Sequence, residues 1–306
     1  MRFLAASTLL VLLGAGCTSL PFGSNAPEID AELVDLPLGD GFEISQSAFA
    51  LGLGETAVKH VTVEEHQAGR YAVLSWTMNV KRETVVSKAA REYAMTHSPV
   101  GEKADIPEPV YEDVALKGVV RTDALGNAER LLLPSYWPEG EYDVSQTGDS
   151  IIWLSKAQYD ELVATRASHV QLGLFDSTLK DLLDFTESAK MALDRLQGKI
   201  ASTPTTNKDF TKLIAKGDWG SYELKINDQV VRVRTIEASN AFAHYTILAN
   251  PDNPIILKVA ILPWALGPGM FTSLSELKNE LGYSITSISQ ASGSQPLLTD
   301  PSSTSN

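Results

Sequence analysis

The sequence has little cysteine, little positive charge and no long apolar stretch. Cys17 is the only cysteine among 306 residues, which excludes an intramolecular disulfide. Lys and Arg number 25 against 38 Asp and Glu, so the formal net charge is −13, and no basic stretch offsets it. This balance argues against nucleic acid or anionic lipid as the main partner. No internal apolar run reaches the roughly 18 residues of a membrane-spanning helix.

The rest of the composition is that of a folded protein. Hydrophobic residues make up 43% of the chain and charged residues 21%. This content excludes wholesale disorder and a fibrous repeat. It is sufficient for one large domain or two ordinary ones.

The first residues of the chain predict export. Arg2 is a minimal positive start, and Phe3–Leu13 is a mainly apolar run. A run of this length matches the hydrophobic part of a secretory signal and is too short to span a bilayer as a mature anchor. Small residues then lead into the cysteine, in the order Gly14-Ala15-Gly16-Cys17.

This segment resembles the signal of bacterial lipoproteins, with Gly14-Ala15-Gly16-Cys17 as the lipobox. The resemblance implies that residues 1–16 are a signal peptide, cleaved between Gly16 and Cys17. It also implies a diacylglycerol on the Cys17 thiol and an amide-linked acyl chain such as palmitate, which together form a permanent anchor. Thr18 rather than Asp follows the cysteine. In the sorting pattern of such proteins this implies the outer membrane, and we expect the periplasmic face. The alternative is an ordinary signal peptide that leaves a free thiol.

The pattern along the mature chain predicts an α+β fold in two regions. Residues 31–200 carry mainly β signals and end in helices, whereas residues 209–289 form a smaller antiparallel α+β region. Residues 201–208 are rich in Thr and Pro and mark the boundary between them. Residues 17–30 are predicted to be a tether, and the Ser-rich residues 290–306 a disordered tail.

The best-defined β signature lies in residues 117–144. It reads Thr122-Asp123-x-x-Gly126-x-Ala128 and then Gly140-x-Tyr142-x-Val144. This pattern is similar to that of immunoglobulin-like or prealbumin-like sandwich modules of exported proteins. The resemblance implies a sandwich-like arrangement for the N-terminal region.

Helical periodicity is strongest at Ser177–Ile200, where apolar residues recur every three or four positions. This spacing predicts a long amphipathic helix with one buried face. A shorter helix is predicted after Ser155, with Gln158 completing a capping box, and another over Leu274–Leu281. Asn227-Asp228 is predicted to be the turn of a hairpin.

The sequence contains no recognisable catalytic or metal-binding motif. The five histidines stand singly, without metal-ligand spacing, so we predict neither a metal nor a cofactor. Gly148-Asp149-Ser150 resembles the first block of GDSL-type esterases, but no Asp-x-x-His follows to supply the base. Catalytic residues spread across a fold need leave no linear motif. An envelope hydrolase acting on esters, peptides or glycans therefore stays the alternative function.

Two tryptophans indicate binding loops. Trp137 and Trp264 lie in Pro- or Gly-rich loops beside predicted strands, and an exposed tryptophan there can stack on a sugar or anchor a protein. The alternative is that both tryptophans close the ends of their own cores. We predict a non-enzymatic, lipid-anchored envelope component that binds a protein or glycan partner, or serves a structural role.

Overall fold

The structure is a computed structural model that describes residues 26–47, 56–97, 106–134, 137–173, 211–262 and 282–291. Strands account for 54% of these residues and helical turns for 16%. The predicted α+β class is therefore wrong, because strands dominate in the regions on both sides of the predicted boundary. The prediction relied on helical periodicity at Ser177–Ile200 and Leu274–Leu281, which lie outside the described residues.

The strands follow one another along the described chain with only two α-helices between them. The helices are α1, Val85–His97, and α2, Lys156–Thr165. The strands are β1 Glu28–Ile29, β2 Gly41–Ser47, β3 Thr56–Gln67, β4 Tyr71–Glu83, β5 Tyr111–Thr122, β6 Arg130–Leu132, β7 Gly140–Asp143, β8 Asp149–Ile151, β9 Ala167–His169, β10 Gln171–Gly173, β11 Lys212–Ala215, β12 Gly220–Ile226, β13 Gln229–Ser239, β14 Ala243–Leu248, β15 Ile256–Ile261 and β16 Gly282–Ser289.

Five consecutive strands, β12 to β16, form a closed ring. Each pairs with the next, and β16 pairs back with β12. The closing pair is parallel, with Ile226 opposite Ile288, because the first and fifth strands of an up-and-down series run in the same direction. Val233, Tyr245 and Ile285 are fully buried in this part of the sheet.

An antiparallel arm extends from the ring. The outer edge of β16 pairs with β2, and β3, β4 and β5 follow in order. At the far edge Gly140–Asp143 pairs with β5 in the parallel sense. The sandwich-like arrangement predicted for the N-terminal region is thus also wrong, because these strands continue the sheet of the ring instead of forming a second facing layer.

A separate parallel sheet has the strand order β10–β6–β8. In the chain, β6 and β8 precede α2 and β10 follows it. The helix begins where predicted. Ser155 Oγ accepts the Gln158 N–H at 3.4 Å, and the Gln158 side-chain oxygen accepts the Ser155 N–H at 3.0 Å. The predicted capping box is confirmed.

One hydrophobic core runs through the described residues. Leu74 and Trp153 belong to the same buried cluster as Leu213 and Ile256. The predicted boundary at residues 201–208 lies outside the described residues. The division into two regions therefore stays a prediction, although strands from both regions share one sheet.

The strands of the large sheet begin and finish at two opposite ends of the sheet, which we call the turn end and the loop end. Reversals at the turn end span residues 68–70, 227–228 and 249–255. At the loop end, residues 240–242 join β13 to β14, and the chain between the other successive strands that finish and start there comprises residues 48–55, 84–110 and 262–281. Asn227 and Asp228 have φ angles of 47° and 69°, as a two-residue hairpin turn requires, so the predicted turn is confirmed.

The described chain enters the fold from the turn end. β1 runs parallel to β13, with Glu28 opposite Arg232, and the Arg232 N–H donates to the Pro27 carbonyl at 2.8 Å. Because β13 starts at the turn end, Ala26 and Pro27, the described residues before β1, lie towards that end. No helix within the described ranges is long and apolar enough to cross a bilayer.

Candidate functional site

Trp137 is the one predicted site residue that lies within the described part of the chain. Gly16, Cys17 and Trp264 lie outside it, as do residues 292–306 of the predicted tail. The first two tail residues are described: the Gln290 N–H donates to Asn227 Oδ1 and the Ala291 N–H to Asp40 Oδ1, both at 2.8 Å. Trp137 is only 5% exposed and belongs to the buried core. Its indole ring packs against a lysine that the sequence analysis did not single out, and the prediction that it forms part of a binding loop stays a prediction.

That lysine, Lys59, is 1% exposed. It lies on β3 in phase with the buried Val61 and Val63, so its side chain is on the apolar face of the arm. Its ammonium group lies 4.2 Å from the ring centroid of Trp76 and 5.2 Å from that of Trp137. Such distances are those of cation–π contacts. We call Lys59, Trp76 and Trp137 the lysine cage.

One hydrogen bond joins the lysine cage to the loop that carries Trp137. Lys59 Nζ donates to the Pro134 carbonyl oxygen at 2.6 Å. Burial lowers the pKa of Lys59 to about 7, and no charged neighbour contributes to the shift. The amine is therefore partly uncharged near neutral pH, yet its burial keeps solutes away from it. Its visible role is to fasten the loop to the arm.

The cage concentrates buried polar atoms that lack a partner. Six such side-chain atoms occur among the described residues, and three belong to Gln46, Trp76 and Trp137. Gln46 lies next to the cage, because its amide donates to the sulfur of Met78, which faces Lys59 across the sheet. Unmet hydrogen bonds in a core cost free energy. The lysine cage and the adjacent Gln46 thus carry half of the unpartnered buried side-chain atoms of the described residues.

On β5, Gly118 lies against the Trp76 indole and the Pro138 carbonyl. A Cβ atom on Gly118 would lie 2.7 Å from Trp76 Nε1 and 2.7 Å from the Pro138 carbonyl oxygen. Only glycine permits the indole and the loop to approach β5 this closely.

A shallow cleft with room for about one water molecule lies at the turn end. The His66 and Trp153 rings stack with centroids 5.1 Å apart and an interplanar angle of 12°. Burial lowers the pKa of His66, with opposing smaller effects from Asp35 and a hydrogen bond to Leu36, so the imidazole is neutral at pH 7. The other lining residues are Gly69, Leu125, Leu154, Lys156, Pro251, Asp252 and Pro254.

Buried amides lock the cleft in place. Trp153 Nε1 donates to Asn253 Oδ1 at 2.7 Å, and Asn253 Nδ2 donates to the Val34 carbonyl at 3.0 Å. Asn250 Nδ2 also donates to the Val34 carbonyl, at 3.0 Å. Ile152 has a φ of 44°, which is costly for a β-branched residue and is held by its surroundings. Trp153 itself is 1% exposed, so the cleft offers little aromatic surface to a ligand.

The esterase-like triplet is part of the scaffold. Asp149 receives two hydrogen bonds from the Arg130 guanidinium, both at 2.6 Å. Ser150 is buried, and its hydroxyl donates to the Arg130 carbonyl at 3.2 Å. A serine held in this way is not presented to a substrate. In the described ranges no group of three His, Cys, Asp or Glu residues could hold a metal ion.

Six large apolar side chains are exposed at the loop end, on α1, at Val110 and at the first residue of β5. We call this set the α1–β5 surface: Val85, Val86, Tyr93, Met95, Val110 and Tyr111. Val85 and Val86 are 82% and 80% exposed, and Tyr93 is 65% exposed. Ser87 is the only buried residue of the helix.

Helix α1 is attached to the sheet by polar contacts. Ser87 Oγ donates to Glu83 at 2.8 Å and accepts the Val110 N–H at 2.9 Å. Arg91 pairs with Glu83 at 3.0 Å. A helix this short is marginal in water without an apolar face packed on a partner. The α1–β5 surface therefore has the character of an interaction site.

Two features of this arrangement escaped the sequence analysis. Lys59 carried a signal, because a lysine stood in the apolar phase of the alternation that continues through Val61 and Val63. The exposure of α1 carried none, because periodicity does not show whether a helix face has a partner. No family model matches the chain, and no curated protein or solved structure matches it.

Proposed function

We propose that this protein is a lipid-anchored lipoprotein of the cell envelope that binds a partner protein through its loop end, without catalysing a reaction. The observation that carries the binding role is the α1–β5 surface, where six large apolar side chains are exposed around a helix with a single buried residue. Exposed apolar clusters of this kind mark protein interaction sites.

The lipobox-like Gly14-Ala15-Gly16-Cys17 supports the anchor. A lipid on Cys17 would hold residues 18–25 at the membrane, and the described chain then enters from the turn end. The loop end would face away from the lipid. We place the protein at the outer membrane, on its periplasmic face, because Thr18 follows the cysteine.

A protein partner fits this surface better than a glycan does. Four of the six side chains are aliphatic or thioether chains, namely Val85, Val86, Val110 and Met95. Sugars are usually bound by flat aromatic faces with polar groups at their rims. Branched aliphatic groups instead pack into the apolar pockets of another protein.

Site-specific photo-cross-linking in the native host tests the binding role. A photoreactive residue at Tyr93 should capture one discrete envelope protein, and the same residue at Leu38, which is 70% exposed at the turn end, should not. Val86→Asp should reduce the yield more than about tenfold, because it buries a charge in the contact. Asp near the start of a helix is well tolerated, so α1 should persist.

Three outcomes would overturn the proposal. Equal capture from Tyr93 and Leu38 would show that the α1–β5 surface is not special. Capture of a glycan, unaffected by Val86→Asp, would replace the protein partner by a polysaccharide. Turnover of an ester, peptide or glycan by the purified protein, lost on changing one side chain, would favour the hydrolase alternative.

The anchor has its own test. Labelled palmitate should enter the wild-type protein, and Cys17→Ser should abolish the label and release the protein from the membrane pellet. A Cys17→Ser protein that stays in the pellet would contradict lipid anchoring.

A further inference from the structure

Half of one long strand has an unpaired outer edge. β5 pairs with β4 over its whole length, from Tyr111 to Thr122. On its other side it pairs with β7 only from Gly118 to Arg121. In the part of the chain that the structure describes, no strand adjoins the outer edge of Tyr111–Lys117. Exposed backbone N–H and C=O groups of this kind are a template for another strand.

The side chains along this edge favour an added strand. Val114 and Leu116 are half-buried and pack against the core at its margin. Asp113, Ala115 and Lys117 alternate with them and are exposed. A further strand beside β5 would complete the burial of Val114 and Leu116, and its own alternate side chains would meet the same apolar margin.

The charge around the edge specifies what kind of strand fits. Exposed acidic residues flank it on β5, on β7 and in the preceding segments: Glu108, Glu112, Asp113, Glu139 and Glu141. The exposed basic residues nearby are Lys117 on β5 and, on β4, Lys81 opposite Asp113 and Arg82 opposite Glu112. Arg82 also pairs with Glu139 at 3.3 Å, and the five acidic residues outnumber the three basic ones. The edge is therefore complementary to a basic segment.

We propose that Tyr111–Lys117 is the place where an extended, Lys- or Arg-bearing segment of the partner protein adds to the sheet as a strand. The inference deepens the proposed function, on which it rests, because the edge begins within the α1–β5 surface at Tyr111. Backbone hydrogen bonds to β5 would hold the segment, and Glu112 and Asp113 would select its charge. A second copy of the chain is disfavoured as occupant, because two acid-rich edges would repel each other.

Model peptides test this proposal on the full mature chain. The probe is an alternating Lys-Val peptide with blocked ends. It should bind and slow amide hydrogen exchange at Tyr111–Lys117, while amides of β13 are unchanged. A Glu-Val peptide of equal length should bind at least about tenfold more weakly. A Lys-Pro peptide of the same charge should also bind more weakly, because proline lacks the N–H of a ladder bond.

Variants locate the contact. Reversing both charges with Glu112→Lys and Asp113→Lys should weaken Lys-Val binding about tenfold. Asp218→Lys, an exposed change between β11 and β12, is the matched control and should have no effect.

Equal affinity for the Lys-Pro peptide would overturn the proposal, because it would show attraction of charge without strand pairing. So would Lys-Val binding that leaves exchange at Tyr111–Lys117 unchanged. A dimer in sedimentation, with those amides already protected, would show that a second copy occupies the edge. These failures are separable from the proposed function, since specific cross-linking at Tyr93 would still show that the loop end docks a protein.

Discussion

At the turn end, buried side chains hold short connections in place, whereas at the loop end three of the connections are long and α1 buries only Ser87. Asn250 and Asn253 both bind the Val34 carbonyl, and Asn253 also accepts from Trp153. At the loop end the buried Asn240 amide holds the 240–242 reversal, but α1 is held by charged and polar links such as the Arg91–Glu83 pair. The turn end is thus held by buried hydrogen bonds, whereas the exposed side chains of α1 at the loop end are available to a partner.

The difference predicts where the protein is sensitive to truncation of a large side chain. Trp153→Ala at the turn end should lower the free energy of unfolding by about 3–5 kcal/mol, because it removes a fully buried indole. Trp219→Ala is the matched control, since Trp219 is 46% exposed and should matter much less. Chemical denaturation measures both. If both variants lost a similar amount of unfolding free energy, the buried contacts of the turn end would not be the more important ones for stability.

A polar substitution separates hydrogen bonding from bulk at the same place. Asn253→Ala should cost about 1–3 kcal/mol, because Trp153 Nε1 loses its acceptor and the Val34 carbonyl loses one of two donors. Asn253→Asp should keep the acceptor for Trp153 Nε1 but lose the donor to the Val34 carbonyl. A wild-type melting temperature for Asn253→Ala would contradict a locking role for the amide.

The lowered pKa of Lys59 predicts that folding stability depends on pH above neutrality. Burial lowers the pKa of Lys59 from 10.5 to about 7 in the folded state. Between these values the unfolded chain holds a proton that the folded chain has released, so folding stability should rise with pH. The slope should approach about 1.4 kcal/mol per pH unit. Below pH 7 both states hold the proton and this contribution to the slope vanishes.

Lys59→Met isolates this contribution. The difference between wild-type and Lys59→Met unfolding free energies should change steadily from pH 7 to pH 9.5, measured by urea denaturation. Lys117→Met, an exposed lysine on the same sheet, should leave the wild-type slope intact. Parallel curves for the wild type and Lys59→Met would show that Lys59 does not titrate in this range.

The smallest stability effect should come from the loop end. Val86→Ser should change the free energy of unfolding by less than about 0.5 kcal/mol, because Val86 is 80% exposed. The same change should still weaken partner capture at Tyr93. Large destabilisation would show that Val86 is packed against another part of the chain.

Local chemistry was readable from the sequence where short-range geometry decides it. The Ser155–Gln158 capping box was predicted because both partners lie in one helical turn. The Asn227-Asp228 turn was predicted because these residues accept positive φ. Trp137 was singled out as a loop aromatic, but its burial against Lys59 depends on a β3 residue far away in sequence.

The class of the fold was not readable for the same reason. The pairing of β16 with β2 joins opposite parts of the chain, and its pairing with β12 skips three intervening strands. The hydrophobic alternation of a strand does not show which other strand it pairs with. The alternation of β5 likewise predicts a strand, but it does not show that β7 covers only Gly118–Arg121.

The sequence by itself determined the excess of acid, the absence of a second cysteine for a disulfide and the local turns and caps, because these depend on composition or on residues a few positions apart. Tertiary structure alone decided the closed ring, the buried amine of Lys59 and the unpaired edge of β5. Each of these depends on which distant strands share hydrogen bonds, and long-range pairing is a property of the assembled sheet.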